Sequence, residues 1–252
     1  MSERTSHPPG SFCWVDLATA DPEAAKAFYA EVLGWQFENR PGTAHALAGV
    51  GGRAVAAVGP LPDPSVTPHF NCFVSVESAD AAAERAAELG GSVLLAPGDV
   101  GPAGRMAILA DPQGAAFCVW QPGEHIGAGV VNVPGALTWN DLVTTDIDDA
   151  ERFYGGLFGW TLEAASEDPP YEVIHLVGGR ANGGMLVAEE GQPPAWLAHF
   201  ASDDVVATAA RAEAAGAAVV NGPTDVPAGT FVVLRDPQGA VFCLFGGGRF
   251  DD

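Results

Sequence analysis

The sequence predicts an α+β fold built from four βαβββ modules in two tandem halves. Three observations predict it. The segment ADPQGAAFCVW, Ala110 to Trp120, returns as RDPQGAVFCLF, Arg235 to Phe245, 125 positions later. WVDLATADPEAAKAFYAEVLGW, Trp14 to Trp35, returns at the same spacing as WNDLVTTDIDDAERFYGGLFGW, Trp139 to Trp160. Within each half, a strand, a helix and three further strands follow one another, and then the order restarts. Matches that reach both ends of each half identify an internal duplication.

Each element has a local reason. FCWVDLAT is strand-like, and its alternation puts Trp14, Asp16 and Ala18 on one face. Asp21 then caps a helix, with Pro22 at its first position and Gly34 as its stop. Phe28, Tyr29, Val32 and Leu33 recur at helical spacing and should face the core. Short strands follow around Trp35–Glu38, His45–Val50 and Ala54–Val58. The order restarts with strand HFNCFVSV, helix SADAAAERAAELG, strands SVLLA and RMAILA, the DPQG turn and strand AAFCVW. The second half repeats this through WLAHFAS, a helix from about Asp204 to Ala215, AAVV, TFVVLR, DPQG and AVFCLF. VGGR recurs at Val50 and Val177, a spacing of 127, so a small insertion lies between. The domains are drawn at residues 11–121 and 136–247. The Gly- and Pro-rich stretch 122–135 is the linker, and GGGRF near the end reads as a tail.

Composition narrows the function classes. The 252 residues carry 32 acidic and 11 basic side chains, a net charge of −21. That field repels phosphate backbones and anionic lipid, so neither nucleic acid nor membrane is expected as a partner. No apolar run reaches the ~18 residues of a membrane span. The N-terminus lacks the apolar segment of a secretory signal, so a cytoplasmic location is expected. The four cysteines are widely spaced, without a zinc or disulfide pattern, and read as buried apolar fillers. No P-loop, GxSxG or HExxH motif is present.

The segments DPEAAKAFYAEVLGW, DIDDAERFYGGLFGW and the two copies of DPQGAxFC resemble the vicinal oxygen chelate superfamily. That superfamily includes glyoxalase I, bleomycin-resistance proteins and extradiol dioxygenases. The closest likeness is to a tandem two-domain actinobacterial type with W-x-D-L before the helix. The resemblance implies two glyoxalase-like cup-shaped domains in tandem, each made by two modules curling into one sheet. It also implies a divalent metal held by His, Glu or Gln. The matching positions here are Trp14, Asn71 and Cys118 in the first half, and Trp139, Leu197 and Cys243 in the second. An indole cannot bind a metal, and Cys is a soft ligand. No cofactor is therefore expected. A divalent metal would need a different ligand set, such as Asp16 with His69.

Asp16 and Asp141 should face the cups, where desolvation would raise their pKa and suit a general base or an anchor. Structural carboxylates bonded to backbone are the competing reading. His69 and His199 share the cup faces and could each pair with the Asp of their own half. His7 falls in a tail expected to be disordered, while His45, His125 and His175 have no repeat partner. Trp14, Asn71, Phe73, Cys118 and Trp120 would line the first cup, and Trp139, Leu197, Cys243 and Phe245 the second. Alternatively, the indoles fill a cup and close it. Cys118 or Cys243 would be a nucleophile only with a base nearby.

The favoured function is metal-free binding of an apolar or planar metabolite, for sequestration or resistance. The alternatives are a cofactor-independent isomerase, cyclase or hydratase using a cup Asp and His, a lyase or oxygenase with a relocated metal, and an interaction module with filled cups. The expected partner is a small organic molecule, and the chain is read as a monomer or homodimer.

Overall fold

The computed structural model describes residues 2–39 and 43–247; the GGGRF tail reading extends into residues 248–252, outside them. A two-residue strand, β1 (Ser2–Glu3), opens the chain. The first module is β2 (Phe12–Thr19), α1 (Pro22–Leu33), β3 (Gln36–Asn39), β4 (Ala46–Val50) and β5 (Arg53–Pro60). The second is β6 (His69–Ser75), α2 (Ala79–Glu88), β7 (Ser92–Asp99), β8 (Gly104–Ala110) and β9 (Ala116–Pro122). The linker carries β10 (Val130–Val131). The third module is β11 (Leu137–Thr144), α3 (Ile147–Phe158), β12 (Thr161–Glu167), β13 (Pro170–His175) and β14 (Ala181–Val187). The fourth is β15 (Ala195–Ala201), α4 (Val205–Ala214), β16 (Ala218–Val226), β17 (Gly229–Arg235) and β18 (Val241–Gly247).

Each half forms one eight-stranded sheet, in the orders β3-β4-β5-β2-β6-β9-β8-β7 and β12-β13-β14-β11-β15-β18-β17-β16. The first strand of every module pairs in parallel with its own last strand, and the two modules of a half join antiparallel through their first strands. Sequence chemistry sets the helix ends. Asp21 and Asp146 accept from Ala24 N and Asp149 N at the N-caps, and Gly34 and Gly159 turn left-handed at φ 71° and 73°. None of the helices among the described residues is long and apolar enough to cross a membrane.

The helices of the two halves meet: α1 packs on α4 and α2 on α3. One core therefore runs through both halves, joining Tyr29, Phe70, Phe200 and Phe242 to Phe117, Tyr154, Trp160 and Trp196. The buried face of α2 is all alanine, Ala79, Ala82, Ala83 and Ala86, and on α4 Ala209 and Ala212 are buried with Val205 and Thr208.

The repeated motifs lock one half to the other. Tyr29 Oη donates to Asp236 Oδ2 at 3.0 Å, and Tyr154 Oη to Asp111 Oδ2 at 3.2 Å. Trp35 Nε1 donates to the Gly135 carbonyl at 2.7 Å, and Trp160 Nε1 to that of Gly10 at 2.8 Å. Gln113 Oε1 accepts from Asp146 N at 2.9 Å while its Nε2 donates to the Asp146 carbonyl; Gln238 does the same with Asp21. Each DPQG turn thus holds the helix entrance of the opposite half, a role that its turn chemistry alone does not announce.

One expectation is corrected here. His7 does not sit in a disordered tail. β1 pairs with β10, and His7 Nε2 lies 2.9 Å from the Ala128 carbonyl. Burial lowers the His7 pKa, with Arg4 and Arg180 acting the same way against the bond to Ala128.

Candidate functional site

The two cups have duplicate backbones and differ in their polar groups. In the first, Trp14, Phe73, Cys118 and Trp120 are buried together with Ala128 and Val131 from the linker. The His125 ring stands edge-on to Trp14 at 4.6 Å, and Trp120 Nε1 donates to the His125 carbonyl at 2.9 Å. These side chains pack against one another, with Leu47, Met106 and Ile108 partly buried beside them, and the His125 ring joins the cluster.

Asp16 faces this cup, as its alternation predicts. Its partner is Asn71, which sits opposite it in register and donates from Nδ2 to Oδ1 at 2.7 Å. The expected pairing of Asp16 with His69 does not form. His69 lies opposite Ala18, two residues along, and its Nδ1 is 2.8 Å from the Thr67 carbonyl. Desolvation raises the Asp16 pKa, and the Asn71 bond works against it. The register partner of Cys118 is Phe73. Burial, and then the charge of Asp16, push the Cys118 thiol well above its ordinary range.

The second cup gathers polar groups. Asp141 lies opposite Leu197 on β15 and beside Gly184 on β14. Tyr171 Oη donates to Asp141 Oδ1 at 2.8 Å. Trp139 Nε1 lies 3.0 Å from the same Asp141 oxygen and 2.9 Å from Tyr171 Oη. On the other side, His199 Nε2 is 3.0 Å from Asp141 Oδ2. That approach is off the N–H axis: neither ring nitrogen of His199 has an aligned hydrogen-bond partner among the described residues. His199 is 5% exposed, and its register partner on the parallel strand β18 is Cys243. Burial acts to lower the His199 pKa; the Cys243 sulfur and the Asp141 carboxylate outweigh it and hold the imidazole above its ordinary range. Burial and the Asp141 charge push the Tyr171 hydroxyl up.

Sequence reading missed Tyr171 and Gly184. A Cβ on Gly184 would collide with the Tyr171 hydroxyl and the Asp141 carboxylate. The first-half residue at the matching register position is Ala57, opposite Asp16. The glycine pair in ANGGM was the available signal, since an interior strand glycine marks close approach. Around the polar row, Val173, Leu186, Leu197, Phe231 and Val233 share the cup face and stay half-buried, with Phe245 buried at its edge.

A separate cleft of about 70 Å³ opens at the seam of the N-terminal segment, linker and second half. Arg4, His7, Arg180 and Asn182 line it together with Trp139, and it contains none of Asp141, His199 or Cys243. The cup is the better candidate, because an acid, a base and a thiol meet there.

A family model described as Glyoxalase-like domain matches residues 14–120 and again 138–245. "Putative glyoxylase CFP32" of Mycobacterium bovis is 40% identical over 255 residues, covering 97% of each chain. "Anthracycline biosynthesis protein DauV" of Streptomyces sp. (strain C5) is 35% identical over 262 residues, covering 95% of this chain and 94% of that one. The Mn(II)-bound glyoxalase of Novosphingobium aromaticivorans shares the fold with a TM-score of 0.67 at 18% identity, covering 100% of this chain and 86% of that one.

A metal is implied by that fold, and the donor set here does not suit one. The matching positions carry two indoles, an amide, a leucine and two thiols. Among the described residues, no three His, Cys, Asp or Glu side chains converge to hold an ion. Asp141, His199 and Cys243 lie on the adjacent strands β11, β15 and β18, with His199 on the middle one. Two domain matches, full-length identity to named relatives and the paired eight-stranded sheets place this chain in the glyoxalase-like domain family of the vicinal oxygen chelate superfamily, as a tandem two-domain member.

Proposed function

We propose that the protein binds a small, planar, largely apolar metabolite in its second cup without a metal, and that its first cup serves the structure. The contrast between duplicate positions carries the reading. Where the first cup has Phe73 and Ala57 inside a buried cluster, the second has His199 and Gly184 beside a Tyr171–Asp141 bond. Half-buried apolar walls with a few placed polar groups are the usual make-up of a small-molecule site. His199 and Tyr171 suit a ligand with a carbonyl or phenolic oxygen, and Trp139 suits a flat ring. The relative named for anthracycline biosynthesis supports a fused-ring aromatic as the ligand class. A small organic partner and a cytoplasmic location belong to this reading.

Calorimetric titration with a hydroxyanthraquinone tests it. One site per chain is expected, with Tyr171→Phe or His199→Gln weakening affinity about tenfold, the worth of one hydrogen bond. Asp16→Asn and added chelator should leave affinity unchanged. Absence of binding, or equal loss from Asp16→Asn, refutes the reading. A second reading, metal-free proton transfer by Asp141 and His199, is favoured by the unaligned imidazole nitrogens. Solvent-deuterium exchange into a bound ketone tests that one.

A further inference from the structure

The strands of the second cup set a thiol, an imidazole and a carboxylate in one row. Cys243 on β18 is the register partner of His199 on β15, and His199 Nε2 lies 3.0 Å from Asp141 Oδ2 on β11. Cys243 is 1% exposed and His199 5%, so water does not dilute their interaction. His199 is deeply buried, and neither of its nitrogens has an aligned hydrogen-bond partner among the described residues. The Cys243 sulfur is the first of the influences that raise the His199 pKa, in keeping with the register.

The duplicate supplies an internal contrast. Cys118 occupies the matching place in the first cup, and its register partner is Phe73, which offers no base. Cys13 and Cys72 are raised by burial, with no imidazole among the causes. One cysteine of the four therefore has a base for a neighbour and a carboxylate behind that base.

We propose that Cys243 is a nucleophile that adds covalently to conjugated carbonyl ligands held in the second cup, with His199 as the partner that carries its proton and Asp141 as the positioning residue for His199. The proposal rests on the binding reading above. The Sγ proton sits on the His199 imidazole as an imidazolium–thiolate pair, and a sulfur lone pair forms the S–C bond at the β-carbon of the ligand. The C=C π pair moves onto the carbonyl as an enolate, which then receives the proton back from His199 at the α-carbon. The adduct contains every atom of thiol and ligand, nothing leaves, and no oxidant or reductant is needed. A soft sulfur favours a soft, conjugated carbon, and flat conjugated rings suit Trp139 and the apolar wall.

The experiment incubates the full-length protein at neutral pH with trans-chalcone, a planar enone. Dihydrochalcone, which lacks the C=C bond, is the control. Intact-mass measurement and peptide mapping read the adduct, and calorimetry reads binding of the control. One adduct on Cys243 and none on Cys13, Cys72 or Cys118 is expected in the wild-type chain, where no variant has to fold. Cys243→Ala should abolish it, and His199→Gln should slow it on the order of 100-fold, the low end for general acid–base catalysis. Dihydrochalcone binding without any chalcone adduct, or an adduct shared with Cys118, overturns the nucleophile and leaves the binding reading standing. No binding of either compound overturns both.

Discussion

Tyr29 and Tyr154 are duplicate residues with unequal duties, and removing each hydroxyl tests how the halves are held together. Tyr29→Phe keeps the ring, its stacking on Trp35 at 5.1 Å and the core volume. It deletes one bond, the donation to Asp236 Oδ2. A hydrogen bond to a charged group is worth ~1.5–3 kcal/mol, so about 2 kcal/mol should be lost. Asp236 keeps its other oxygen fully engaged with the backbone N–H groups of Gln238, Gly239 and Ala240. Tyr154→Phe deletes two bonds. The donation to Asp111 goes, and so does the acceptance from Trp196 Nε1 at 2.9 Å. Trp196 is buried, so its indole N–H would be stranded, adding ~1–3 kcal/mol. The expected loss is about 4 kcal/mol, and the ratio between the two variants is firmer than either value. Guanidinium denaturation followed by tryptophan fluorescence measures both. The donations from Tyr29 to Asp236 and from Tyr154 to Asp111 both cross between halves, so a single transition is expected for the wild type. Equal losses, or Tyr29→Phe costing more, would refute the network; two separated transitions would refute the latch.

Gly184→Ala should drive Tyr171 off Asp141, weakening hydroxyanthraquinone binding by tenfold or more and costing ~1–3 kcal/mol of stability, read by titration and denaturation. His199 should give stability a pH dependence. Its pKa is pushed up to about 10 from 6.5, so its contribution is complete below the lower value and is lost as pH rises through the upper one. Denaturation midpoints between those limits should fall with pH in the wild type, and His199→Gln should flatten that slope. Trp14→Ala should cost ~3–5 kcal/mol by emptying the first-cup cluster. It should leave ligand affinity in the second cup unchanged, and a matching loss of affinity would overturn the division of labour between cups.

Much of the local structure was legible. The caps Asp21 and Asp146, the stops Gly34 and Gly159, and the shared face of Trp14 and Asp16 follow from rules that reach only a few residues along the chain. The site was half legible. Parity put both Asn71 and His69 on the cup face of β6, but only register says that Asn71 stands opposite Asp16. In β15 the same parity admitted His199, and there the side chain reaches Asp141. Tyr171 went unnoticed because β13 has no motif of its own, and its hydroxyl matters only through the gap left by Gly184.

From the sequence alone came the duplication and the four modules, since both are properties of residue identity and spacing; that indoles, an amide, a leucine and thiols stand where a metal-binding set would be is what the family resemblance implies. The tertiary structure alone decided that DPQG latches the opposite half, that the linker packs His125, Ala128 and Val131 against the first cup, and that Cys243 stands in register with His199. Those contacts join segments from tens to more than two hundred residues apart. They depend on strand register and on the packing of whole domains, and no local period in the chain encodes either.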